Sequence, residues 1–193
     1  MVNHTRLGAG GHWEFLAAGE PWGEHPAMAE LLEKVKAAFA AAGWECVPVE
    51  GRDVVTAAFE AHHAKLSLYA QTFEEMGAVS IVSEASLAAT PAAMAKVGEL
   101  LMRVNQQLTV GNFEANWDDG MIYFRVTNLF PNTEAATADL IASLVRAAVV
   151  EMDRITPYLA VIGRTDPGEI DSLDIPALMA REDLLPDVGM PAP

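Results

Sequence analysis

The sequence predicts an α+β fold: an antiparallel β-sheet with packed helices, in the order α-β-β-β-α-β-β-α. Three observations carry that prediction. Residues 54–83 hold runs that alternate apolar and polar side chains, the period of a half-buried strand. Residues 26–42, 90–108 and 133–155 repeat apolar residues at spacings of three and four, the period of a helix with a buried stripe. Between two further alternating runs, Asp119-Gly120 marks a hairpin.

Residues 1–25 hold five glycines and no sustained period. They are expected to form a flexible N-terminal extension in which Trp13, Phe15 and Trp22 dock on the domain or on a partner. Gly8-Ala9-Gly10-Gly11 lacks the preceding strand and the following Lys-Ser or Lys-Thr of a phosphate loop.

The first helix is expected over Pro26–Ala42, with Met28, Leu31, Leu32, Val35 and Phe39 on its apolar face. Pro26 suits its first turn and Gly43 its stop. Trp44 to Val49 can extend briefly, and Pro48 restricts that piece to an edge or a loop. Strands follow at Val54–Glu60, Lys65–Phe73 and Ala78–Ser83. A turn at Ala61-His62-His63-Ala64 sets Phe59 opposite Leu66, Ala57 opposite Leu68 and Val55 opposite Ala70. The other face pairs Glu60 with Lys65 and Thr56 with Tyr69.

Thr90-Pro91 reads as a helix start, and Met94, Val97, Leu101, Val104 and Leu108 form one stripe that ends near Leu108. A two-residue turn at Asp119-Gly120 then sets Trp117 opposite Ile122, Ala115 opposite Phe124 and Phe113 opposite Val126, all on one apolar face. The polar face pairs Asn116 with Tyr123, Glu114 with Arg125 and Asn112 with Thr127. The last long helix is expected from Asn132 or Thr133 to Ile155, with Pro157 breaking it and Tyr158–Ile162 forming another short helix. Its polar stripe is narrow, so the helix must be buried on more than one side. Residues 164–193 carry five prolines and seven Asp or Glu, and one short helix is expected at Pro176–Asp183.

Asn105, the Leu108-Thr109-Val110-Gly111-Asn112-Phe113 link, Asp119-Gly120 and Tyr123-Phe124-Arg125 resemble the YbjN family of bacterial domains, whose members are often called sensory transduction regulators. The resemblance runs from about Pro26 to Gly163, which divides the chain into an extension at 1–25, a YbjN-like domain at 26–163 and an acidic, proline-rich extension at 164–193. It implies a type III secretion chaperone-like fold and a homodimer, and it supplies no catalytic residues.

The formal net charge of −15 and the absence of a basic patch argue against nucleic acid and against an anionic membrane surface as partners. No apolar run reaches the ~18 residues of a membrane span. MVNHTRLGAGGHW lacks the order of a signal peptide, and a lone Cys46 excludes an intramolecular disulfide, so a cytoplasmic protein is expected.

Candidate chemistry is sparse. His62 and His63 fall in a turn and point apart, and no metal-binding spacing occurs, so solvated histidines and no metal are expected. Acidic Glu45 beside Cys46 works against a reactive thiolate. Glu74-Glu75 and Asp118-Asp119 are expected in solvated loops. No cofactor and no catalytic residue is assigned. Tyr123, Arg125 and Glu114 on the polar hairpin face are candidate contacts to a partner or ligand. Leu140, Leu144, Ala148 and Val149 on the long helix are candidate dimer contacts.

The function these features predict is a non-catalytic protein-binding module, chaperone-like or a regulatory adaptor. It would act as a homodimer on an unidentified protein partner or client, in bacterial signal transduction. The alternative is a small-ligand sensor or an enzyme with a pocket on the hairpin face.

Overall fold

The computed structural model describes residues 30–184. The extension at 1–25, the helix start at Pro26 and the residues from Leu185 onward lie outside the described residues. Helix α1 (Glu30–Ala41) leads into a two-residue edge strand, β1 (Val47–Pro48). Then come β2 (Val54–Glu60), β3 (Lys65–Phe73) and β4 (Ala78–Glu84), helix α2 (Met94–Asn105), the hairpin β5 (Asn112–Ala115) and β6 (Ile122–Leu129), helix α3 (Ala138–Arg164) and the short α4 (Ile175–Met179). The strands form one six-stranded antiparallel sheet in the order β1-β2-β3-β4-β6-β5. This is the α+β architecture expected above, an antiparallel sheet with packed helices.

Alternation splits the sheet into two faces. The inner face carries Val55, Leu66, Leu68, Ala70, Val79, Ile81, Phe113, Ile122, Phe124 and Val126, all buried. Helices α1, α2 and α3 pack against it, and α4 joins the same core by packing on α2. Leu31, Val35 and Phe39 come from α1, Val97, Leu100 and Leu101 from α2, Ile141, Val145, Ala148 and Met152 from α3, and Ile175 and Leu178 from α4. Lys96 donates to the Leu173 carbonyl at 2.8 Å, which helps tie the C-terminal segment to α2.

The β2–β3 register is the one the alternation predicts, Phe59 opposite Leu66 through Val55 opposite Ala70, with Glu60 beside Lys65. The β5–β6 register is not. Phe113 faces Phe124 and Glu114 faces Tyr123, two residues away from the expected pairing. The cause is side-chain turn chemistry. Asn116 Oδ1 accepts from the Asp118 N–H and Asp119 Oδ1 from the Met121 N–H, each at 2.9 Å. The Gly120 N–H also donates to the Asn116 carbonyl at 2.8 Å. The loop therefore takes residues 117–120 and not 119–120 alone. A shift of two leaves every strand residue on its expected face. Trp117, however, leaves the strand; it is 67% exposed and its ring lies over Gly98 of α2, so it does not face the core.

Helix α3 is also corrected. It runs unbroken through Pro157 for 27 residues, because Tyr158, Leu159 and Ile162 beyond the proline bury in the core. That packing outweighs the ~3 kcal/mol that an interior proline costs. Its start shifts too: Asn132 caps a 3-10 turn at Thr133–Ala135, and Thr137 then caps α3 by accepting from the Leu140 N–H. Thr90 is a turn residue ahead of α2, its hydroxyl accepting from the Ala93 N–H. The C-terminal helix begins at Ile175 behind an Asp174 cap and ends at Met179, short of the expected Asp183.

Candidate binding face

The outer face of the sheet carries the residues that the sequence singles out. Strand pairing lays them in rows. One row reads Thr56, Tyr69, Val82, Arg125 and Asn112; the next reads Ala58, Ser67, Glu84, Tyr123 and Glu114. Further along the strands come Val54, Gln71, Ser80 and Thr127, then Phe73, Ala78 and Leu129. The face is therefore a mosaic of aromatic, hydroxyl, apolar and charged side chains, unlike the apolar inner face.

Arg125 and Glu114 meet as expected, although diagonally. Arg125 Nε and its terminal amine reach the two Glu114 carboxylate oxygens at 2.8 and 3.0 Å, a bidentate pair. Such geometry fixes both side chains more firmly than a monodentate surface pair. Tyr123 stands directly opposite Glu114 and is buried.

The sequence reading missed Glu84, because the strand was expected to end one residue earlier, at Ser83. Glu84 instead extends β4 and pairs with Tyr123, and the Tyr69 hydroxyl donates to its carboxylate at 3.4 Å. Burial pushes the Glu84 carboxyl above its usual range, with nearby Asp119 adding to the effect and the Tyr69 bond opposing it. Burial, then the Glu84 charge, pushes the Tyr69 phenol up to about 12. Beside them the Thr127 hydroxyl donates to the Ser80 hydroxyl at 2.9 Å.

The other candidates fall elsewhere. Leu144 and Ala148 are buried inside their own chain, whereas Leu140 is partly exposed and Val149 half-buried. Leu140, Ser143, Ala147 and Val150 lie within one stripe of α3, and Leu140 and Val150 are its exposed apolar members.

His63 is not a solvated histidine. Asp153, buried in the middle of α3, accepts from the His63 backbone N–H at 2.6 Å and lies 3.2 Å from its Nδ1, clasping the β2–β3 turn to the helix. Glu74 is likewise more than a loop charge: its Oε1 accepts from the N–H groups of Leu31 and Leu32 at 2.8 and 3.3 Å, capping α1 from the β3–β4 connection. Burial is the main cause that raises its carboxyl above the usual range. Cys46 is half-buried, and burial raises its thiol, with Lys36 opposing. Both associations span tens of residues in sequence, so no local pattern announces them.

Two cavities open away from the outer face. One of about 160 Å³ is lined by Leu87, Thr90, Val97, Ile122, Leu159 and Arg164, among others. A smaller one lies among Val104, Phe113, Arg154 and Tyr158. Neither of these two is lined by Tyr123 or Arg125. Among the described residues no three His, Cys, Asp or Glu side chains converge, and no helix is long and apolar enough to cross a membrane.

A family model named YbjN and described as "Putative bacterial sensory transduction regulator" matches residues 31–160. No curated protein matches the chain in sequence. In structure the chain is similar to the crystal structure of the ExsC–ExsE complex, with a TM-score of 0.54 and 7% identity over 70% of this chain and 97% of that one. It is also similar to the crystal structure of YbjN, a putative transcription regulator from E. coli. There the TM-score is 0.52 and the identity 8%, over 67% of this chain and 91% of that one. At these identities the likeness establishes the fold alone.

Proposed function

Because this chain belongs to the YbjN family, we propose that it is a non-catalytic protein-binding module, chaperone-like or a regulatory adaptor, acting as a cytoplasmic homodimer in bacterial signal transduction. The observation that carries this reading is the outer sheet face. Its Tyr69, Glu84 and Arg125–Glu114 groups offer aromatic area and fixed charge to a polypeptide, and among the described residues the helices pack on the opposite side. A neighbour in fold, ExsC, is found in a complex with ExsE, which supports protein binding as the use of this architecture. The dimer is proposed through the exposed stripe of α3 at Leu140 and Val150, with the half-buried Val149 at its margin.

Affinity capture from the native cell, read by mass spectrometry, tests the binding role. A stoichiometric protein partner is expected. Its capture should be lost in Arg125→Glu and not restored by the Glu114→Arg/Arg125→Glu exchange, which rebuilds the pair within the chain. Recovery of a bound small molecule and no protein would overturn the reading. It would favour instead a ligand sensor using the 160 Å³ apolar cavity beside the end of α3.

A further inference from the structure

The larger cavity lies where the β4–α2 connection, the first turns of α2, the start of β6 and the end of α3 meet. Its floor is apolar and closed: Val97, Ile122 and Leu159 are all buried. Its rim is open to solvent and carries Leu87, Gly163 and Arg164. A space of about 160 Å³ is well beyond the water-sized voids of a close-packed interior. The wall is fixed. The Ala85 N–H donates to the Ile122 carbonyl at 2.9 Å and the Ala89 N–H to the Gly120 carbonyl at 2.8 Å, which holds the β4–α2 connection against the hairpin. Sites for small molecules are mostly of this kind: pre-formed, apolar inside and marked by a few polar groups.

Two residues of the rim define what can enter. A Cβ added at Gly163 would meet nothing within 4 Å. No neighbour therefore requires glycine there, although glycine is a poor choice inside a helix. Its effect is to leave the mouth of the cavity clear. Arg164 stands next to it in sequence and is exposed. Most of the described Lys and Arg side chains have a carboxylate partner, whereas Arg164 has none among the described residues. An unpaired guanidinium at the mouth of an apolar cavity, in a chain of net charge −15, suits an anion with an apolar body. Size sets the body, since an apolar cavity of about 150 Å³ takes up a benzene molecule.

We propose that this cavity is a binding site for a small monocarboxylate with an apolar body about the size of a benzene ring. The body fills the space above Val97, Ile122 and Leu159, and the carboxylate pairs with Arg164 at the rim. Leu87, 61% exposed on the same rim, adds apolar contact once the body is in place. The cavity shares no residue with the outer face of the sheet, so the site stands independently of the protein-binding reading, and either can fail without the other.

Methyl NMR of the full chain, labelled at Ile, Leu and Val, tests it by titration with phenylacetate and with uncharged phenylacetamide. Phenylacetate should bind saturably, with the largest shifts at Val97, Ile122 and Leu159. Arg164→Gln should weaken phenylacetate about fivefold, the upper end for an exposed ion pair, and leave phenylacetamide unchanged. Gly163→Leu should fill the mouth and abolish binding of both probes while the remaining methyl spectrum stays native. No saturable binding of phenylacetate at roughly millimolar concentration would overturn the site, as would shifts centred on other methyl groups. Equal affinity of Arg164→Gln and the native chain for phenylacetate would remove the carboxylate from Arg164 and overturn the class of ligand.

Discussion

Gly120 closes the β5–β6 loop with φ at +76°, and a Cβ there would run into the Ala89 carbonyl. The same backbone exchanges hydrogen bonds with Asn116 and Ala89, so it cannot shift away cheaply. Gly120→Ala should therefore destabilise the fold by about 2–4 kcal/mol, combining the left-handed strain with the clash. A denaturation midpoint equal to that of the native chain would refute it. Glu84 gives the opposite sign. Its carboxyl is raised by burial, so the folded chain prefers the protonated form and the ionised form opposes folding. That penalty grows as pH rises through the folded pKa and is absent well below the ordinary carboxyl value of about 4.3. Glu84→Gln should raise the melting temperature at pH 7 and leave it unchanged in acid. A lower melting temperature at pH 7 would mean that the Tyr69 bond outweighs the burial. At this scale the sequence was legible for Arg125 and Glu114, whose opposite charges lie within reach across a hairpin. It was silent on Asp153 and Glu74, whose partners are 90 and 43 residues away.

Elements were legible wherever one period dominated. The β2–β3 pairing follows from alternation on both strands, and a slip by one residue would have turned Leu66, Leu68 and Ala70 to the outer face. The β5–β6 hairpin shows the limit. Alternation fixes the register only modulo two, and the choice among slips of two was settled by the Asn116 and Asp119 side chains, which favour a longer loop than Asp-Gly alone implies. Helix α3 shows another. Local rules end a helix at Pro157, whereas burial of Tyr158, Leu159 and Ile162 carries it on to Arg164. The Thr156 hydroxyl donates to the Met152 carbonyl at 2.7 Å beside the proline, one more local bond in the weakened turn. Pro157→Ala should restore the missing N–H donor and stabilise the chain by about 1–3 kcal/mol, measured by chemical denaturation. A loss of stability would show that α3 needs a bend at Pro157 to cover the sheet.

For the whole molecule, the fold class and the order of elements could be read from periodicity, and the surface that remains open could not. The apolar girth of α3 suggested a large exposed patch, but most of it is consumed by the chain's own sheet, α1 and α2, leaving Leu140 and Val150 as its exposed apolar residues. Light scattering after size exclusion should give twice the 20.7 kDa of one chain, falling to one chain in Leu140→Asp/Val150→Asp. A single-chain mass for the native protein would remove the dimer from the proposed function. The strand order has a different consequence, for the moment of synthesis. β1 to β4 each pair with their neighbour in sequence and can assemble as they emerge, but β4 must wait for β6 while α2 and β5 are still being made. At roughly 5–20 residues per second that wait lasts a few seconds. Through it β4, whose side chains from Ala78 to Ser83 all end up buried, presents an unpaired edge to the ribosome's surroundings. The nascent chain is therefore most open to aggregation between the appearance of Glu84 and that of Leu129.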